Sequence, residues 1–268
     1  MPAILEPFID RAYFARYGIA PESLFERLWQ HDSDWVEPPN KRRGGWSGVY
    51  RLHLKGHAGS PADTLYVKVQ HEHYTSSFLG IGREPTLNRE KRMLGNAAQA
   101  GVHVPECVFF EIRGAEALIA TRELKGFVAL DEIQRQFECG ALSRADLRRL
   151  TNAAAQQLAI LHAARIQHNK PSDQHVMANP HTGEVAIIDW EMARFGIRRG
   201  YTMLRDVGIL ARNTLWVSPR ERASFLRRYL GIERLDARAK ILFRRLAARV
   251  ERKVNASEAR RQRRRSAG

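Results

Sequence analysis

One carboxylate stands directly after a short apolar run. Residues 185–188 read Val-Ala-Ile-Ile, a pattern that favours a buried strand, and Asp189 follows them. A carboxylate at a strand end is held still and can face a cleft, where it can bind a divalent cation and, through it, a polyphosphate. An ordinary strand ending in a solvated aspartate gives the same pattern, so the interpretation depends on residues elsewhere in the chain.

Upstream features suit a phosphate site. Gly45, Ser47 and Gly48 begin a predicted strand, where small residues let a backbone approach a phosphate, although a plain hairpin turn would look the same. Lys68 lies within the next predicted strand and either meets an anion or extends to solvent along a half-exposed face. Glu90 lies on the predicted helix that follows and either turns inward or pairs with a charge on its own helix.

A strand lysine, a helix glutamate and a later strand-end aspartate, in this order, form the arrangement of protein kinases. In that chemistry the lysine contacts the α- and β-phosphates of ATP, and the glutamate fixes the lysine through an ion pair. The aspartate holds Mg²⁺ on the phosphates. We therefore predict that Lys68, Glu90 and Asp189 bind ATP and magnesium.

The elements that must position these residues change character along the chain. Residues 1–39 carry short helical patterns and are predicted to form an N-terminal helical extension. Residues 40–122 alternate like strands around one helix, as in a small β-rich N-lobe, and residues 123–255 are mostly helical, with a hairpin before Asp189. The pattern predicts an α+β fold of two lobes with a cleft between them.

Several motifs together resemble one known family. In chain order they are Leu65-Tyr66-Val67-Lys68-Val69, Asn88-Arg89-Glu90, residues 161–168, His175-Val176-Met177, residues 187–194 and residues 204–208. Over about residues 40–235 the chain is similar to the lipopolysaccharide kinases of the InaA and Kdo/heptose-kinase type. The resemblance implies a protein-kinase-like fold, with a small β-rich N-lobe, a helical C-lobe and a catalytic-loop hairpin.

The resemblance also implies roles for residues around that hairpin. His168 matches the histidine that opens and braces the catalytic loop. His175 falls where protein kinases have a metal-binding asparagine, and its imidazole is either a metal ligand or a satisfied histidine at a strand start. Asp206 matches an aspartate that braces the loop through the loop's backbone.

The position of the catalytic base departs from the family pattern. The resemblance places an aspartate at position 170, but the residue is Lys170, which accepts no proton near neutral pH unless its pKa is strongly depressed. Asp173, three residues later, is a candidate substitute. Phosphoryl transfer depends mainly on positioning and charge stabilisation, so losing the base slows an enzyme without necessarily abolishing its activity.

Two functional hypotheses follow from this departure. The first is an ATP- and Mg²⁺-dependent kinase that phosphorylates a heptose or Kdo hydroxyl of the lipopolysaccharide core. The second is a pseudokinase of the same fold with a regulatory or scaffolding role in envelope biogenesis.

The charge of the chain limits its partners. The net charge of +15 attracts polyanions, and ten basic residues against two glutamates lie between Arg244 and Arg265. Residues 256–268 are predicted to be a disordered basic tail, either simply solvated or attracted to the anionic inner leaflet by about 1 kcal/mol per basic residue. No recognition helix or zinc pattern is evident in the sequence, so we predict no specific nucleic-acid partner.

The compartment follows from what the sequence lacks. No apolar run approaches the ~20 residues that span a bilayer, and the first residues do not form a signal-peptide pattern. Two cysteines, Cys107 and Cys139, are too few for a disulfide framework. We therefore predict a cytoplasmic protein, peripherally associated with the inner membrane, where it meets the lipopolysaccharide core glycolipid.

Overall fold

Alternating side chains along residues 45–71 form the longest strands of a six-stranded antiparallel sheet. The computed structural model describes residues 4–30, 34–42, 44–57, 59–76, 82–196 and 199–266. The chain divides into two compact units, the first made of Met1–Gly95 and Pro105–Lys125 and the second of Asn96–Val104 and Gly126–Gly268.

The first unit contains the sheet and the short N-terminal helices. Its elements are β1 (Phe8–Ile9), α1 (Arg11–Ala15), a 3₁₀ turn (Pro21–Ser23), α2 (Leu24–Trp29), β2 (Trp35–Arg42), β3 (Gly45–Leu54), β4 (Asp63–His71), β5 (Tyr74–Ser76), β6 (Arg83–Pro85), most of α3 (Thr86–Gln99), β7 (Cys107–Arg113) and β8 (Glu116–Arg122). The last four residues of α3 belong to the second unit. The sheet has the order β1-β7-β8-β4-β3-β2, so β4 is an interior strand between β3 and β8. The predicted helix that carries Glu90 is α3, and it begins at Thr86, directly after residues 83–85, which pair with β5.

The N-terminal helices differ from the prediction of a separate extension. Tyr13 and Phe14 of α1 and Phe25 of α2 are buried in the same apolar cluster as Val67 of β4 and Phe109 of β7. This burial stabilises the sheet and the helices together, because each apolar side chain leaves water only by contacting the other element. Helices α1 and α2 are therefore part of the core of the first unit, and β2 already begins at Trp35.

The second unit is mainly helical, with short strands around one loop. Its elements are β9 (Val128–Ala129), α4 (Leu130–Glu138), α5 (Arg144–Ala163), β10 (Ile166–Gln167), β11 (Val176–Ala178), β12 (Val185–Ile187), β13 (Arg194–Phe195), α6 (Arg199–Asn213), α7 (Pro219–Leu230) and α8 (Ala237–Ser266). The predicted hairpin is present, since β11 pairs with β12 and Val176 faces Ile187.

The long helix α5 forms the centre of the second unit. Ser143 caps its start in a capping box, with its hydroxyl accepting from Asp146 N–H while the Asp146 carboxylate accepts from Ser143 N–H. Leu147, Leu158 and Leu161 on one face of α5 are almost completely buried. Helix α5 contacts α6, α7, β10 and β12.

The basic C-terminal segment differs from its prediction. Helix α8 continues to Ser266, so residues 256–266 are helical instead of disordered, and residues 267–268 lie outside the described part of the chain. Alanine, arginine, glutamate and glutamine all favour helix, and the segment contains no proline or glycine before its last residue. Within the residues that the structure describes, no helix is both long and apolar enough to cross a bilayer.

Close contacts with neighbouring strands explain two glycines of β3. A Cβ atom at Gly45 would lie 2.0 Å from the carbonyl oxygen of His71, and one at Gly48 would lie 2.6 Å from the ring of Trp35. Both positions are therefore closed to any side chain by neighbouring strands of the same sheet. Gly95 on α3 is the opposite case, because a Cβ there meets no atom within 4 Å.

We expect Gly45→Ala and Gly95→Ala to change stability in opposite directions. Gly45→Ala forces the backbone of β3 and β4 apart and lowers the free energy of unfolding by about 1–3 kcal/mol. Gly95→Ala raises it by about 1 kcal/mol, because alanine favours a helix interior. Urea unfolding of the two variants and the wild type measures both changes, and an unchanged midpoint for Gly45→Ala would contradict the packing explanation.

Candidate active site

The ion pair between Lys68 and Glu90 is a mostly buried charged contact of the first unit. Alternation along β4 buries Val67 and Val69 in the core and turns Lys68 to the opposite face of the sheet. Glu90 lies one turn into α3, and its Oε2 accepts a hydrogen bond from Lys68 Nζ at 2.8 Å. The two side chains are 14% and 11% exposed, so water screens their attraction only weakly.

The small residues predicted to bind phosphate lie beside this lysine. Register pairs Gly48 of β3 with Val69 and pairs Val49 with Lys68. Ser47 Oγ accepts a hydrogen bond from Gln70 Nε2 at 3.2 Å, and Gly45 opens the strand. The glycines are thus explained by packing inside the sheet, whereas their predicted contact with a phosphate stays a prediction.

His168 opens the loop between β10 and β11, and its ring is completely buried. Its Nδ1 accepts a hydrogen bond from Lys170 N–H at 3.3 Å, and its Nε2 lies 2.9 Å from the carbonyl oxygen of Ile188. A carbonyl oxygen only accepts, so Nε2 carries the proton and the ring is the neutral tautomer. Burial lowers the pKa of His168 below its ordinary value, which agrees with a neutral ring.

Asp206 on α6 holds the start of this loop. Its buried carboxylate accepts hydrogen bonds from His168 N–H at 2.7 Å and from Asn169 N–H at 3.0 Å. The same carboxylate lies 3.3 Å from His162 Nε2 on α5, and His162 Nδ1 lies 2.6 Å from the hydroxyl of Tyr229 on α7. The predicted bracing of the loop backbone by Asp206 is confirmed.

Asp189, Lys170 and His175 meet at one carboxylate oxygen. Asp189 follows β12 in the left-handed conformation, with φ of 63°. Its Oδ2 lies 3.0 Å from Lys170 Nζ and 3.3 Å from His175 Nε2. His175 Nδ1 donates to the carbonyl oxygen of Lys170 at 2.9 Å, so in the neutral ring Nε2 presents a lone pair on the side of Asp189.

The chemistry of these two ligand atoms fits a divalent cation. Ligand distances of about 2.0–2.1 Å in an octahedral ion place neighbouring ligand atoms about 3 Å apart. Asp189 Oδ2 and His175 Nε2 are 3.3 Å apart, close to that requirement. A carboxylate suits Mg²⁺ or Mn²⁺, and an imidazole adds affinity for transition-metal ions.

Two further residues shape the loop. Asp173 is half-buried, and its backbone carbonyl accepts from Leu130 N–H at 2.7 Å at the start of α4. Asn169, which the sequence interpretation missed, has φ of 69°, and its Nδ2 donates to the carbonyl oxygen of Met192 at 2.9 Å. The available signal was its residue type, because asparagine adopts the left-handed conformation more readily than most residues.

Comparison with known proteins adds the family. Residues 26–229 match the Lipopolysaccharide kinase (Kdo/WaaP) family. The chain belongs to this family. Protein InaA of Escherichia coli (strain K12) is 30% identical over 188 residues, which are 68% of this chain and 84% of InaA. The predicted resemblance to lipopolysaccharide kinases is thereby confirmed.

A solved structure of the Kdo/WaaP family shows the fold. WaaP in complex with acyl carrier protein has a TM-score of 0.66 to this chain at 18% identity, and the comparison covers 94% of this chain and 99% of that one. The chain thus has a WaaP-like fold of mixed α and β structure. All predicted site residues lie inside the Kdo/WaaP match, whereas α8 lies beyond its end at residue 229.

We expect His168 to make the stability of the protein depend on pH. Because its pKa is lower in the folded state than in the unfolded chain, its contribution is complete above about pH 6.5 and is lost as the pH falls below that value. The slope it adds is at most about 1.4 kcal/mol per pH unit. Urea unfolding between pH 7.5 and pH 5 measures this slope.

The control for that measurement is the exposed His181 of the same unit. His168→Gln removes the titrating ring and is expected to flatten the decline below about pH 6.5, whatever its effect at neutral pH. His181→Gln is expected to keep the wild-type slope. Equal slopes for His168→Gln and the wild type would show that the buried ring is not the source.

Proposed function

We propose that the protein is an ATP- and Mg²⁺-dependent kinase that phosphorylates a heptose or Kdo hydroxyl of the lipopolysaccharide core. The observation that carries this proposal is the mostly buried Lys68–Glu90 ion pair of 2.8 Å inside the Kdo/WaaP match. A buried ion pair is weak support for stability, because desolvating both charges offsets their attraction. Its presence on an interior strand and the adjacent helix is therefore better explained by binding of a polyphosphate.

Each proposed role follows from the chemistry of the side chain. Lys68 binds the α- and β-phosphates of ATP, and Glu90 keeps the ammonium in position. Asp189 and His175 would hold a magnesium ion, which when bound would offset the negative charge of the phosphates. His168, held by Asp206, fixes the loop that carries Lys170 and His175.

The proposed reaction is a direct phosphoryl transfer. The sugar hydroxyl oxygen forms a bond to the γ-phosphorus while the bond between that phosphorus and the β–γ bridging oxygen breaks, and ADP leaves. We assign the released hydroxyl proton to Asp173, the carboxylate that follows Lys170 in the loop. Positioning supplies most of the rate in this chemistry, so an imperfect base is compatible with slow turnover.

The proposed acceptor also fixes a place of action. We propose that the enzyme works at the cytoplasmic face of the inner membrane, where the core glycolipid would be available. The ten basic residues between positions 244 and 265 support this proposal, because an anionic leaflet attracts each one by about 1 kcal/mol near its surface.

The pseudokinase hypothesis rests on Lys170, which occupies the position of the catalytic aspartate. Its ammonium contacts Asp189. The two hypotheses differ in their prediction for ATP. Lys68→Met removes the phosphate contact and is expected to lower Mg²⁺-dependent phosphorylation of core oligosaccharide by at least about 100-fold. Asp189→Asn is expected to have a similar effect.

Lys55→Met is the matched control, because Lys55 is an exposed lysine of the same unit. It is expected to keep wild-type turnover. Turnover is measured with radiolabelled ATP, and ATP binding is measured by calorimetry with and without Mg²⁺. A wild-type protein that binds no ATP in the presence of Mg²⁺ would contradict the kinase proposal and favour the pseudokinase.

A second candidate function is binding of an acylated carrier protein. It is suggested by WaaP, which was solved in complex with acyl carrier protein, and by an apolar cavity in the second unit of this chain. The cavity has a volume of about 100 Å³ for water-sized molecules, and its lining is mostly apolar. Its lining comes from α4 to α8 and includes Ile133, Leu150, Leu210, Phe225 and Leu246.

We expect the acyl chain to occupy this cavity. Ala211, which lines it, is changed to Phe to fill the space, and this is expected to weaken binding of decanoyl acyl carrier protein at least about tenfold. Ala248→Trp on the exposed side of α8 is the control and should leave the affinity unchanged. Calorimetry measures both, and equal affinity for acylated and unacylated carrier protein would exclude the cavity as the acyl site.

A further inference from the structure

Lys170 is held at its backbone as well as at its side chain. Its N–H donates to His168 Nδ1 at 3.3 Å, and its carbonyl oxygen accepts from His175 Nδ1 at 2.9 Å. Its Nζ donates to Asp189 Oδ2 at 3.0 Å. The two backbone hydrogen bonds fix the position of the Lys170 Cα atom, and from there the side chain reaches the Asp189 carboxylate.

The ammonium contacts the same oxygen that would bind a metal ion. Asp189 Oδ2 lies 3.3 Å from His175 Nε2 and 3.0 Å from Lys170 Nζ, so both side chains converge on one carboxylate oxygen. A divalent cation bound to Asp189 and His175 would therefore lie within a few ångströms of a positive charge. Two positive charges at such a separation repel strongly wherever water screens them only partly.

We infer that the Lys170 ammonium is an internal competitor of the divalent cation at Asp189, and that metal binding requires it to leave the carboxylate. This inference rests on the proposed function, because it concerns the metal that ATP would carry. A lysine at this position is thus more than a missing base, since it gives Asp189 a counter-ion when no metal is bound.

The side chain is suited to leaving. Lys170 is 49% exposed, and a lysine has four flexible carbons, so its ammonium can rotate into solvent. Half-exposed ion pairs are weak, and the competition is correspondingly moderate. The expected effect on metal affinity is about two- to fivefold, which lowers affinity without closing the site.

Binding of Mn²⁺ tests the inference without any measurement of catalysis. Free Mn²⁺ gives a strong electron paramagnetic resonance signal that is lost on binding, so a titration yields the Kd once the Mn²⁺ bound by the nucleotide alone has been subtracted. With a non-hydrolysable ATP analogue present, Lys170→Met is expected to lower the Kd for Mn²⁺ about two- to fivefold relative to the wild type. Lys170→Arg keeps a positive charge and is expected to stay close to the wild type.

Further variants separate the possible failures. Lys253→Met, at an exposed site on α8, controls for the loss of one positive charge, and Asp189→Asn is expected to abolish the tight site. If Lys170→Met and Lys170→Gln bind Mn²⁺ no more tightly than the wild type while Asp189→Asn loses binding, the competition is wrong and the proposed metal site stands. If no protein, including the wild type, binds Mn²⁺ with the ATP analogue, the proposed function fails and the inference fails with it.

Discussion

The second unit depends on one buried carboxylate. Asp206 accepts two backbone hydrogen bonds from the loop after β10 and lies against His162 of α5, so a single side chain fixes the relation between a helix bundle and the loop. A fully buried carboxylate is tolerated only when such donors replace water. Without this contact, His168, Lys170 and His175 would lose the common support that aligns them with Asp189.

The residues of the candidate site were more predictable from the sequence than the backbone conformation of the loop that carries some of them. Lys68, Glu90, Asp189 and Asp206 stand in segments whose period or motif gives them a fixed direction, and the contacts expected of the Lys68–Glu90 pair and of Asp206 are present. The contact of Lys170 with Asp189 was not predictable, because it depends on the conformation of the loop between β10 and β11, and hydrophobic periodicity does not predict loop conformations. The left-handed conformations of Asn169 and Asp189 belong to the same class.

Differences between the sequence predictions and the structure have physical causes. Helical patterns within residues 1–39 predict an extension, because a short apolar face does not reveal that it will pack in the core of the sheet. The density of basic residues predicts a disordered tail over residues 256–268. Strong helix formers without an intervening proline or glycine instead continue α8, whose earlier residues are packed against the second unit. The neighbouring strands by themselves exclude a side chain at Gly45 and Gly48, so packing explains these glycines and their contact with a phosphate stays a prediction.

Helix α8 belongs to the folded second unit but lies beyond the end of the family match. The Kdo/WaaP match ends at residue 229, yet Ala239, Leu246 and Val250 of α8 are buried against the helices before it. Cutting the chain at the end of the match would uncover an apolar groove along α6 and invite self-association. The recognisable family segment is therefore smaller than the segment that can be expected to fold and stay soluble by itself.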